Sequence, residues 1–211
     1  MAIASRTHRR LELAAAVLLA IAAVGTAWAA YQARVWTGEQ ASNTSKATAT
    51  RISANRVAAL ANRQVQVDVA TFTGWLDARA EGRSELAAFY RTRFRPEFKT
   101  AFAAWLATKP FTNRAAPSSP FEMPQYRLRT EVRANRLEVD AAGDTDQAKD
   151  ANQRANNYML AVVLLATSLF FAGLSTKMEA VTAQRVILGL GWVVFLVALI
   201  WMATLPVELA T

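Results

Sequence analysis

The apolar positions gather into three long runs. Residues 159–174 and 186–205 contain no charged side chain, and a third run, 13–30, lies near the opposite end of the chain. Each approaches the roughly 20 apolar residues that a helix needs to cross a bilayer, with 158–174 close to the lower limit. The expected spans are 11–33, 158–174 and 186–205, joined in the last pair by a short polar connector, 175–185.

Between the first and second runs the pattern changes from continuous to periodic. Val57, Ala61, Val65, Val69, Phe72 and Leu76 recur every three or four residues, which places them on one stripe of a helix. The spacing predicts a long helix over 37–80, able to continue the first membrane helix. Gly82, followed by Ser84 and Glu85, marks a break and a restart. Arg95-Pro96 interrupts again, because proline disfavours the helical conformation in the residue before it. Pro96 with Glu97 then suits the first turn of a new helix. Phe98, Phe102, Trp105 and Leu106 fall on one face of it, as a core face or a partner face. Four prolines punctuate 110–124, which predicts an extended loop without regular structure. A second long helix is expected over 125–157, with a kink at Ala142-Gly143-Asp144, running antiparallel to the first as a coiled coil.

The fold class expected is therefore all-α. Three transmembrane helices hold a long-helix extracytoplasmic domain, 34–157, inserted between the first and second. Arg6, His8, Arg9 and Arg10 form a basic tail over 1–10 that belongs on the cytoplasmic side. Lys177 and Arg185 put the connector on that same side, leaving 206–211 as a short outer tail. Ala27-Trp28-Ala29 after an apolar core also fits a signal-peptide cleavage site. The retained anchor is preferred because the helical, aromatic pattern through Trp28, Tyr31 and Trp36 continues past Ala29 without a break.

Composition narrows the chemistry. The 211 residues carry a net charge of +8 and no cysteine, so disulfides, thiolate nucleophiles and zinc–thiolate sites are excluded. The only histidine is His8, so histidine triads and histidine metal sites are excluded from the insert. Asp144-Thr145-Asp146 with Asp150 lacks the glycine and glutamate of a calcium loop. No glycine-rich phosphate loop occurs. Glu81 with Glu85, and Glu131, Glu138 and Asp140, read as solvated helix faces rather than catalytic pairs. No cofactor and no metal is expected, and the chain is read as not an enzyme. The membrane context disfavours nucleic acid as the partner of the basic charge.

Two arginine groups are candidate contacts for anionic lipid or polymer. Arg91, Arg93 and Arg95 alternate along the chain, and Arg129, Arg133 and Arg136 share one helix face. Glu97, Glu131 and Glu138 lie near enough in sequence to neutralise them. For helix packing the candidates are Gly173, Gly189 and Gly191, which permit close backbone approach, and the amides Asn156 and Asn157 before the second span. No Asp, Glu, Lys or Arg sits inside a span to mark an ion path.

Several stretches carry a resemblance: 31–40 (Tyr31 to Gln40), 93–98 (Arg93 to Phe98), 104–111 (Ala104 to Phe111), 119–126 (Ser119 to Tyr126) and 170–177 (Phe170 to Lys177). As a set they resemble a group of small, uncharacterised bacterial integral membrane proteins. The resemblance implies a multi-pass protein of the bacterial cytoplasmic (inner) membrane with its first helix retained, and brings no activity or ligand with it. The function expected is a non-enzymatic scaffold or accessory subunit, forming a homo-oligomer or joining a membrane-protein partner in the lipid bilayer. An extracytoplasmic sensor module acting through a partner, and a homo-oligomeric channel, are the alternatives.

Overall fold

The computed structural model describes residues 2–208, with side chains from residue 8 onward. The Arg6 side chain and residues 209–211 of the expected tail lie outside the described residues. Among the described residues there are five α-helices and no strand: α1 (Ala2–Ala80), α2 (Ser84–Arg93), α3 (Pro96–Ala107), α4 (Arg129–Ser175) and α5 (Val181–Ala203). Three of them, α1, α4 and α5, are long and apolar enough to cross a membrane. The chain divides into two compact units, Met1–Ser45 with Asp144–Thr211, and Lys46–Gly143.

The first unit packs three helices through small residues. Ala15, Ala22 and Ala29 of α1 are buried at seven-residue intervals, against Ala161, Leu165 and Ala172 of α4 and Leu188, Phe195 and Ala198 of α5. Small side chains let backbones approach, which is how helices gain contact where hydrocarbon supplies no hydrophobic drive. The outward positions stay apolar: Leu13, Val17, Val24, Val163, Phe170, Val193 and Ile200 are exposed. An apolar exterior of this extent on packed helices fits a multi-pass membrane protein.

The segment after α5 is tied back to the bundle. Gln32 is fully buried; its Nε2 donates to the Glu208 carbonyl (3.0 Å) and its Oε1 accepts from the Glu208 amide (3.2 Å). The Tyr158 hydroxyl donates to the Pro206 carbonyl at 3.1 Å. The α4–α5 connector is shorter than the polar stretch of sequence suggests, covering 176–180, because Thr182, Gln184 and Arg185 join the start of α5.

The second unit is built on an antiparallel pair. Ala47, Ala54 and Ala61 of α1 are buried every seventh residue, and Ala134 and Ala141 are their counterparts on α4. Thr130 Oγ1 donates to Gln64 Oε1 (2.7 Å), and Arg51 pairs with Glu138 (3.6 Å), so α4 descends as α1 ascends. Helix α1 ends at Gly82, whose φ of +72° closes it: Arg83 N–H donates to Ala78 O and Gly82 N–H to Arg79 O. Helix α3 starts at Pro96, preceded by an extended Arg95. Gly143 produces no break in α4.

An aromatic core closes this unit. Phe72 and Trp75 of α1 meet Phe94, Phe98, Phe102 and Trp105. Most of the rings meet edge to face, for example Trp75–Phe102 at 4.7 Å and Phe94–Phe98 at 4.8 Å. The proline-rich stretch 110–124 departs from the extended loop its prolines suggest. It folds back over the core with a 3₁₀ turn at Pro120–Glu122 and a buried Pro120. Trp105 Nε1–H donates to the Pro117 carbonyl (2.8 Å), and Phe121 stacks on Phe98 at 5.1 Å. Burying rings and one indole N–H outweighs the extended preference of isolated prolines.

Candidate functional site

The seven-residue seam of α1 places a carboxylate where its preceding positions carry alanine. Asp68 follows Ala47, Ala54 and Ala61 in register and is fully buried. Its Oδ2 accepts from Arg95 Nη1 (2.9 Å) and from the Tyr126 hydroxyl (3.1 Å). Arg95 reaches Glu97 with Nη2 (3.2 Å), and Glu97 also pairs with Arg129 (3.6 Å). The other Asp68 oxygen, Oδ1, is buried and accepts no hydrogen bond from the described residues. Burial raises the Asp68 carboxyl above its ordinary range. Arg95 and the Tyr126 hydroxyl pull it down, Glu97 pushes it up slightly, and the rise prevails. Burial first, then the Asp68 charge, raises the Tyr126 phenol, which stays protonated as a donor. The network joins α1, α3, the loop and α4 through alternating charges, Asp68 to Arg95 to Glu97 to Arg129, with Tyr126 on Asp68.

This network takes up two of the six candidate arginines, Arg95 and Arg129. Arg93 lies 3.4 Å over the Phe89 ring and donates to the Phe89 carbonyl. Arg133 and Arg136 are exposed on α4. Glu138 pairs with Arg51 of α1. Arg91 faces a groove beside α2, together with Lys99. Phe98, Phe102 and Trp105 are buried and Leu106 is partly buried against them.

In the membrane-capable unit the glycines differ. A Cβ at Gly191 would meet Leu18 and the Phe171 Cβ at 3.3 Å, and Ser168 Oγ donates to the Gly191 carbonyl at 2.9 Å. Gly173 and Gly189 have open space at the same position. Asn156 is exposed beside Tyr31, Arg34 and Gln40, and Asn157 accepts from Gln153 at 3.3 Å.

Sequence reasoning missed Asp68 and Tyr126. The signal for Asp68 was present: a charged residue continues a seven-residue alanine series on the buried face. For Tyr126 there was none, since its partner lies 58 positions away. Among the described residues no group of three His, Asp or Glu side chains is placed to hold a metal ion.

The fold defines the class as all-helical, with three helices able to span a membrane and a second helical unit closed by an aromatic core. No protein-family model, no curated protein and no solved structure matches this chain.

Proposed function

We propose that this chain is a non-enzymatic integral membrane scaffold or accessory subunit of a bacterial cytoplasmic membrane. Its aromatic unit stands outside the cytoplasm, and its long helices pair with a second copy or with another membrane protein.

One observation carries the assembly reading. On the helical pair outside the apolar spans, Leu60 and Val67 of α1 and Val132 and Val139 of α4 are exposed, each pair seven residues apart. Val139 is 71% exposed. Residues seven apart lie on one line of a helix, the arrangement a partner helix covers in a coiled coil. The topology rests on the basic residues His8, Arg9, Arg10, Lys177 and Arg185 and on the positive-inside rule. The resemblance to small bacterial membrane proteins supports the location.

Native mass spectrometry of protein extracted gently from its host tests this. A defined homo- or heteromer is expected, reduced to monomer by Val132→Asp with Val139→Asp. A monomer from the unaltered chain overturns the reading.

A further inference from the structure

Helix α2 has no buried side chain. Its attachment to the aromatic core runs through Ala87 and Tyr90, which are partly buried. The Tyr90 ring rests on α1 at Gly74, where a Cβ would come within 2.6 Å of it. Two open spaces lie beside that attachment. One groove of about 650 Å³ is lined by Ala88, Ala103 and Leu106, with the buried Phe94 and Phe102 beneath and Arg91 and Lys99 beside them. A second, of about 280 Å³, is walled by Trp75, Ala87 and Leu106 and includes Arg79. The two share Ala88, Arg91 and Leu106, so they adjoin along α2.

The chemistry of the walls is specific. Three cations line the two spaces and no carboxylate does. Arg91 lies 5.9 Å over Phe102, and Arg79 lies 4.7 Å over Phe111 and 5.7 Å over Trp75, so both guanidiniums sit at cation–π distance from aromatic rings. A guanidinium carries five N–H donors, and a ring contact does not consume them, so they remain for an anion. Lys99 Nζ donates to the Thr92 carbonyl at 3.2 Å and retains two further donors. Between the cations the accessible apolar surface comes from Ala88, Ala103 and Leu106, over rings that are themselves buried. The larger groove falls within the size range of small-molecule sites.

We propose that the α2 groove binds a single-chain anionic lipid, its acidic headgroup held by Arg91 and Lys99 and its hydrocarbon chain along Ala88, Ala103 and Leu106. Cations without carboxylates favour the negative head, and a free inorganic anion would leave the apolar wall unused. The site does not rest on the assembly proposed above.

The test uses the full chain in nanodiscs of zwitterionic diacyl lipid and a photoactivatable palmitate. Labelling is expected in peptides from residues 84–107. Unlabelled palmitate competes for it, whereas hexadecanol and inorganic phosphate do not. Ala103→Trp, which fills the groove from an exposed position, abolishes the label. Arg91→Ala with Lys99→Ala raises the half-saturating concentration by about tenfold or more. Ala88→Trp on α2 replaces Ala103→Trp if that variant misfolds, as judged by the near-ultraviolet circular dichroism of the tryptophans. Labels confined to the apolar helices, label indifferent to the groove-filling variant, or full competition by phosphate would each overturn the proposal. The readout is ligand position, so it fails or succeeds separately from the oligomer mass.

Discussion

Asp68 and Arg95 form a buried ion pair at 2.9 Å in which the two partners are unequally protected. Asp68 is wholly enclosed, whereas Arg95 keeps a fifth of its side chain exposed and holds Glu97 as a second partner. Removing either partner therefore has a different cost. Arg95→Met strands a buried carboxylate and is expected to destabilise the fold by about 3–5 kcal/mol. Asp68→Asn keeps an acceptor for Tyr126 and leaves Arg95 with Glu97, so about 1 kcal/mol is expected. Chemical unfolding of the two variants in matched detergent checks the order. An Asp68→Asn loss as large as that of Arg95→Met contradicts it.

The same carboxylate makes stability depend on pH. Desolvation raises Asp68 above its ordinary value of 3.8, so the folded chain holds this proton more tightly than the unfolded chain. Its contribution is fully present below 3.8 and is lost as pH rises through the folded value. The stability of the unaltered chain relative to Asp68→Asn should therefore increase as pH falls from about 7 toward about 4. Parallel melts of the two proteins across that range measure it. A difference that shrinks on acidification would show that Arg95 and Tyr126, rather than burial, dominate the site.

Gln184 offers a stabilising substitution. Its side chain is fully buried at the start of α5, and neither its Oε1 nor its Nε2 has a partner among the described residues. An unpaired buried amide costs about 1–3 kcal/mol. Gln184→Met keeps the length and removes the polar atoms, so it should raise the unfolding midpoint in detergent. A lowered midpoint would reveal a polar partner for the amide.

The natural absence of cysteine permits a clean test of topology. Ala115 in the proline-rich loop and Lys177 in the α4–α5 connector are both exposed. Ala115→Cys should react with a membrane-impermeant maleimide in intact cells, and Lys177→Cys only after permeabilisation. The reverse pattern would invert the orientation, and equal reaction of both would remove the intervening span.

Much of the helical layout was legible from local pattern. Run length marked the apolar helices, Gly82 and Pro96 marked the breaks, and three- and four-residue spacing marked the face carrying Phe72. Other features were misjudged or invisible for a definable reason. Gly143 is a poor helix former by itself, yet α4 is continuous from Arg129 to Ser175 through it. Polar Gln184 was assigned to a connector and is buried in a helix. The glycines were equal candidates in sequence, and only Gly191 of the three meets a neighbour closely.

By itself the sequence determined that this protein is helical, where its apolar helices run and which catalytic chemistries its composition excludes. Those properties depend on hydrogen bonds four residues apart and on the summed apolarity of single segments. Tertiary structure alone decided that Asp68 meets Arg95 and Tyr126, 27 and 58 positions away, that the proline loop closes the aromatic core, and that α2 borders a cationic groove. Those contacts join distant segments, and their stability comes from burial and charge pairing that no local window contains.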